Sequence, residues 1–479
     1  MQERTLMKRK NHLLAVTLSA ILVTAAGCGS NDTSGLTTTN LKTSLAKGIN
    51  KGFAAPASAI TTVTKKSKAV QEVTSRGGSL IGSKSGASTR AATGFGRAFG
   101  SGAGSTSGST SGSPDGAAAQ VANAIDALIE KSTVTQNGNI YTVDPDENAI
   151  CSDPQLKPET LDINQCISLL GGMTMVVTVN GTSGNEVTAA TTRFKYKGST
   201  FVETDFTTTS GYYQVDLGGS KILLTDIKPM LDATDRFDLP ATMSGSIRWA
   251  FSAPNENNAS ITLSIPQTVR LVNTTAGEEI DLTLNRTDKL LSVSADATAT
   301  TLDLEVGFQA LNVLFNDTNA TGSFPVQLSL NALTGKVSLT NEGNNMQITG
   351  LGIDGLKLKV DGTEALSVGM PTLNALLDAS GANASVRFDK ALDFVLDMTN
   401  VHKYFDDSGS ETDTIHVSVK APAGTVLTDA GATAIQVTTG GPLKVDVNAK
   451  GAPATATVPT DSCLDTDKIQ TIVCPASGS

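Results

Sequence analysis

The chain has 479 residues, of which 39% are hydrophobic, 17% charged and 4% aromatic, and its formal net charge is −10. With 45 Gly, 16 Pro and a single Trp, that mix excludes a polytopic membrane protein, a collagen and a long coiled coil. The negative charge argues against a nucleic-acid partner. It is also unevenly spread: residues 1–28 carry +3, residues 29–119 carry +7 and residues 120–479 carry −20. A basic leader, a basic spacer and an acidic body are therefore read as three regions.

The leader opens with Arg4, Lys8, Arg9 and Lys10 and continues as an apolar run from Leu13 to Ala26. That run is too short for a membrane-spanning helix, which needs roughly 20 residues. It has the length of a signal-peptide core. It ends at Ala25-Ala26-Gly27-Cys28. Small residues before a lone Cys, after a basic start and an apolar run, resemble the lipobox of bacterial lipoprotein precursors. Ala25 stands where that family most often has Leu. The resemblance covers residues 1–28 only. It implies that 1–27 is a signal peptide, removed by cleavage before Cys28. It also implies that the Cys28 thiol is diacylglycerylated and the new amine acylated. Gly29, rather than Asp, follows the Cys, which by the sorting rule of Gram-negative lipoproteins implies the outer membrane. The expected localisation is thus the bacterial cell envelope, lipid-anchored at a periplasmic or cell-surface face. The expected partners are the membrane, through the N-terminal lipid, and a lipid or other envelope component.

Residues 28–119 are rich in Ser, Thr, Gly and Ala, and Ser101–Ser113 reads SGAGSTSGSTSGS. Such a segment buries too little apolar area to offset its ordering entropy and is expected to be a disordered tether. As a random coil it would reach about 50 Å. Leu41, Leu45, Ile49 and Phe53 recur every fourth residue beside Lys42, Lys47 and Lys51. A membrane-surface helix is one reading of this stripe. Gly48 and Gly52 weaken it, and a solvated lysine-bearing tether is the expectation.

The body, 120–479, begins with helical spacing. Asp115 can cap a helix whose Val121, Ile125, Leu128 and Ile129 share a face. A second short helix is expected after Pro158, from Ile163 to Leu169. The period then changes to two. Tyr213/Val215/Leu217, Val326/Leu328/Leu330, Leu356/Leu358/Val360, Ile415/Val417/Val419 and Leu443/Val445/Val447 each alternate with polar residues. That pattern marks antiparallel strands with one buried face. Gly218-Gly219, Asp361-Gly362 and Gly440-Gly441 look like two-residue hairpin turns, and longer hairpins are expected near Lys197–Thr200. The total is on the order of 18 to 20 strands. The fold class is mainly β, with one or more large antiparallel sheets and one or two short N-terminal helices. It is either a sandwich or a curled half-barrel, with an aliphatic core.

Cys151, Cys166, Cys463 and Cys474 remain after Cys28. Four cysteines allow three pairings, and local spacing favours Cys151–Cys166 and Cys463–Cys474. Export permits their oxidation. Metal ligation would want CxxC or neighbouring His, which the sequence lacks.

Catalytic and cofactor motifs are missing. There is no HExxH, GxSxG or P-loop, so no catalytic residue, metal ligand or cofactor is assigned. Of three His, His12 lies in the leader, and His402 and His416 read as surface residues. Gly350-Leu351-Gly352-Ile353-Asp354-Gly355 matches GxGxxG, but a strand rather than a helix follows it, so the glycines read as turn residues. Asp144, Asp146 and Asn148 begin like a calcium loop that fails at Ala149 and Gln155, and Asp465 and Asp467 are similar weak candidates. Trp249 reads as core. The expected function is a noncatalytic β-rich binding or structural module held at a membrane. A lipid-handling protein with an apolar groove in a curled sheet is the alternative, and a hydrolase built on scattered Asp/Glu pairs is a lesser one.

Overall fold

The computed structural model describes residues 128–153, 161–183, 186–230, 238–255, 258–275, 278–296, 301–317, 325–340, 345–378, 384–399, 414–430, 433–449 and 452–475. Strands take 72% of them and helices 11%, so the fold is mainly β with a large antiparallel sheet, as the alternation predicts. The described body divides after Val269 into two units. Cys28, the tether and His402 lie outside the described residues.

The first unit is a meander. Its strands are β1 (Ser132–Asn137), β2 (Ile140–Pro145), β3 (Met173–Ser183), β4 (Glu186–Tyr196), β5 (Ser199–Phe206), β6 (Ser210–Asp216) and β7 (Thr242–Asn255). Each pairs antiparallel with the next. Lys197 and Gly198, at φ +48° and +81°, make the predicted β4–β5 hairpin a two-residue one. One sheet face buries Val143, Val177, Val202 and Phe206. Helical residues 128–130 bring Leu128 and Ile129 onto that face. These residues end the predicted N-terminal helix; Val121 and Ile125 lie outside the described residues.

Three helices occupy the connections: α1 (Glu147–Cys151), α2 (Ile163–Leu170) and α3 (Leu217–Ile227). The second is the helix predicted after Pro158. Asp162 accepts from the Gln165 amide N–H at 2.8 Å, and the Gln165 side chain accepts from the Asp162 N–H at 3.0 Å. Together they close a capping box. The Cys151–Cys166 disulfide, with Cα atoms 5.8 Å apart, joins α1 to α2. It lies in a small core with Leu169, Tyr196 and Leu223.

The structure corrects the reading of Gly218-Gly219 as a hairpin turn: both lie in the first turn of α3. Asp216 caps that helix by accepting from the Gly219 N–H at 2.8 Å. Leu217, Leu223 and Leu224 are buried by it. Gly219 lets the helix start come very close to β5, and that close approach cannot be read from a dipeptide.

Tyr196 is 1% exposed and donates to Asp226 Oδ2 at 2.8 Å, while Lys197 Nζ lies 2.5 Å from the same oxygen. Burial, then the Asp226 hydrogen bond, pushes the Tyr196 phenol up to about 12. The Lys197 and Tyr196 hydrogen bonds hold the Asp226 carboxyl below its usual value. A phenol whose folded pKa exceeds its unfolded value stabilises the fold fully below about pH 10 and loses that contribution as pH rises toward 12. Alkaline titration of the urea midpoint from pH 9 to pH 12 is expected to remove on the order of 2 kcal/mol through this group. Tyr196→Phe should make the loss shallower by about that amount, the remainder coming from Tyr212 and Tyr213, whose phenols burial also pushes up. An equal alkaline loss in both proteins would show that Tyr196 is not the group responsible.

The second unit is built on long strands: β8 (Asn258–Thr275), within which the division falls, then β9 (Glu278–Leu284), β10 (Thr287–Asp296), β11 (Thr301–Asp317), β12 (Val326–Thr340), β13 (Asn345–Val360) and β14 (Thr363–Asp378). β9 and β10 pair with opposite halves of β11, and β11 to β14 pair in sequence. The β13–β14 hairpin turns at Asp361 and Gly362, at φ +52° and +72°, as predicted.

At β14 the sheet forks. Its first half pairs with β16 (Leu392–Thr399), which leads to β17 (Thr414–Ala421), β20 (Leu443–Ala449) and β21 (Ala452–Val458). Its second half pairs with β15 (Ser385–Phe388), which leads to β18 (Val426–Asp429), β19 (Ala434–Thr439), β22 (Ser462–Asp465) and β23 (Gln470–Ile472). The two branches face each other over Phe388, Val437, Val445 and Val458, so this end of the unit is a β-sandwich. Gly440-Gly441 connects β19 to β20, which belong to opposite branches. It is a crossing between sheets, not the predicted hairpin. Gly440, at φ +77°, passes so close to Gly424 that a Cβ would lie 2.5 Å from its carbonyl oxygen. The second predicted disulfide, Cys463–Cys474, has its Cα atoms 5.0 Å apart and fastens the end of the chain to β22. With 23 strands among the described residues, the count exceeds the expected 18 to 20.

Candidate functional site

The long strands of the second unit place apolar residues opposite one another from strand to strand. Leu304, Val337, Ile348 and Ala375 form one such row. Val313, Leu328, Leu358 and Leu366 form another, continued by Met398 and Ile415. The parity of the apolar positions slips between the rows. On β11, Val306 and Phe308 are even-numbered, but Leu311, Val313 and Phe315 are odd.

The slip coincides with a line of backbone irregularities. Ala310 has φ +46°, and the pairing skips both it and Asn331 opposite. Gly350 and Gly355 on β13 each have φ +63°. The β12–β13 register shifts between Thr334 and Lys336. An extra, non-extended residue resets the two-residue period and bends the strand. The apolar sets on either side of it can then share one face. Asn374 Oδ1 accepts from the Gly350 N–H at 3.0 Å and fixes this part of the bend. Beside it, Gln347 Nε2 donates to Asp389 Oδ2 at 3.0 Å and Arg387 Nε donates to Oδ1 at 2.9 Å. Those two contacts hold the Asp389 carboxyl below its usual range.

The opposite face is ionic. Lys336 Nζ lies 2.8 Å from Asp303, Lys357 Nζ 2.8 Å from Glu364 and Arg270 Nη2 3.1 Å from Asp281. Gln327 donates to Asn312 at 3.1 Å. These residues alternate with the apolar ones, so the sheet has one charged and one aliphatic face. Where the sandwich covers the aliphatic face, side chains are fully buried, as Val437 and Val458 are. Along β9 to β13 most of them, including Leu304, Phe308, Val313 and Leu328, stay half-buried. The described second unit contains no helix that could lie on them. This aliphatic face is the candidate binding surface.

The other sequence candidates resolve individually. His416 lies on β17 with Nδ1 2.5 Å from Asp397 Oδ1, and both side chains are well exposed. It is a surface cross-strand pair. The structure corrects the reading of Gly350, Gly352 and Gly355 as turn residues: all three lie inside β13, Gly350 and Gly355 as bends. Asp146 caps α1 by accepting from the Ala149 N–H at 2.9 Å, and Asp144 accepts from Thr174 at 3.3 Å. Asp465 accepts from the N–H groups of Asp467 and Lys468 at 3.0 and 3.1 Å. These carboxylates are engaged in capping and turn contacts. Trp249 is 39% exposed, which corrects its assignment to the core. It shares the alternation of buried Phe251 and tilts against Tyr213 with ring centroids 6.5 Å apart. Sequence parity names its face but not how far cover extends along β7. Among the described residues, no helix is long and apolar enough to cross a membrane.

Comparison with known proteins returns nothing: no protein family, no curated protein and no solved structure matches this chain.

Proposed function

We propose that this chain is a lipoprotein of the bacterial envelope, held at the outer membrane by a lipid on Cys28, whose β-rich body is a noncatalytic binding module. The observation that carries the binding role is the half-buried aliphatic face of β9 to β13. The two disulfides fit an oxidising compartment. The same face favours a second reading, that the ligand is a lipid and the module handles it.

The anchor and the face have separate tests. Cys28→Ser should abolish palmitate labelling and move the protein to the soluble fraction; persistent labelling would overturn the lipobox reading. For the face, Leu328→Glu places a charge in the middle of an apolar row, where an unpaired carboxylate is strongly disfavoured. It should reduce binding of an apolar fluorescent probe at least tenfold. Ser329→Glu, one residue away on the ionic alternation, should leave binding unchanged. Equal binding by wild type and Leu328→Glu, with circular dichroism preserved, would exclude this face as the binding surface.

A further inference from the structure

From its chemistry we infer that the aliphatic face of the second unit takes the acyl chains of lipids without net charge and discriminates against anionic lipids. This rests on the lipid-handling reading of the same face and adds the class of lipid.

The extent of the face is the first argument. β11 to β14 have 17, 15, 16 and 16 residues. At about 4.8 Å between strands and 3.3 Å per residue, these four strands outline about 1,000 Å² of sheet, part of which the sandwich covers at β14. Along β11 to β13 side chains such as Leu304, Phe308, Val313 and Leu328 stay only half-buried, and apolar surface left open in this way marks contacts with proteins or membranes. A lipid is the occupant because the rows offer hydrocarbon alone. Side chains such as Val313, Leu328, Leu358 and Leu366 present no hydrogen-bonding group, whereas a protein partner would bring polar backbone that needs partners. The expected anchor also keeps the body within about 50 Å of a bilayer.

The second argument is the position of the cations. On β9 to β14, Lys336 alternates with Val337, and Lys357 and Lys359 alternate with Leu356, Leu358 and Val360. All three therefore belong to the ionic alternation. Lys289 is bound 2.8 Å from Glu305, which alternates with Leu304 and Val306. None of these cations is free on the aliphatic face to meet a phosphate. Residues 270–479 carry 25 Asp/Glu against 13 Lys/Arg, a net of −12. A phosphodiester with net negative charge would lie on an acidic body with no counter-charge. A zwitterionic or uncharged headgroup meets no such repulsion.

The test uses the full mature chain carrying Cys28→Ser, incubated with vesicles of phosphatidylcholine, phosphatidylglycerol or phosphatidylcholine containing diacylglycerol, all with the same acyl chains. Bound lipid is then counted by native mass spectrometry. The expected result is at least tenfold more phosphatidylcholine or diacylglycerol than phosphatidylglycerol. Thr363→Lys, which adds a cation at the exposed end of the face beside Val360, should raise phosphatidylglycerol uptake several-fold. Equal uptake of phosphatidylglycerol and phosphatidylcholine by the unmodified face would overturn the selectivity and leave the lipid reading standing. No uptake of any lipid would overturn the lipid reading itself.

Discussion

Replacing Gly219 by Ala is expected to lower stability by about 3 kcal/mol, although Ala is the better helix former by up to about 1 kcal/mol. A Cβ at Gly219 would lie 1.9 Å from the Thr200 carbonyl oxygen, 2.6 Å from its carbon and 3.0 Å from the Phe201 nitrogen. All three are backbone atoms of β5, so no side-chain rotation relieves the overlap. The helix would have to lift away from the sheet, exposing Leu223 and Leu224. Gly218→Ala is the control. Its Cβ would meet only the Asp216 carboxylate at 3.3 Å and the Met243 carbonyl at 3.9 Å. It should therefore be neutral or slightly stabilising. Urea midpoints of the two variants check this, and equal midpoints would refute the close approach of α3 to β5.

Removing the Cys151–Cys166 disulfide as Cys151→Ala/Cys166→Ala is expected to lower stability by about 3 kcal/mol, the chain-entropy value for closing a loop of this size. Both cysteines are 1% exposed and pack on Leu169, Tyr196 and Leu223, so the lost sulfur contacts add to the loss. The 11-residue separation of Cys463 and Cys474 gives a slightly smaller value for that pair. Thermal melts of each double variant, followed by peptide mapping without reductant, measure both effects. Unchanged melting, or a cross-pairing of the four cysteines in wild type, would contradict the structure.

Both variants act at places where sequence and structure meet differently. The disulfide pairing was legible because two short separations among four cysteines leave few alternatives. Gly219 was misread. Gly-Gly after an alternating run is what a hairpin also uses, and only the distance to Thr200 reveals why the Cβ at 219 is missing. Gly440-Gly441 was misread for a related reason. Alternation shows that a strand follows, but not which sheet receives it.

The candidate face was half legible. Each row of Val and Leu was visible as period-two patterning on its own strand. The slip in parity along β11 is visible in the sequence, but its cause is not, since nothing in an Ala announces φ +46°. Gly350 and Gly355 did carry one, because Gly inside a strand marks a bulge; the motif match drew attention to the wrong property of them.

Local chemistry therefore settled what is local. Composition excluded whole classes, alternation placed the strands, and the apolar run after Pro158 placed α2. The tertiary structure decided what depends on residues far apart. It divided the body into two units and forked the sheet at β14 to make a sandwich. It also set the bends that allow the aliphatic residues of the long strands to share a face. Register across strands is a long-range property. One irregular residue reverses the face of every side chain after it, so the binding surface emerges only when neighbouring strands are read together.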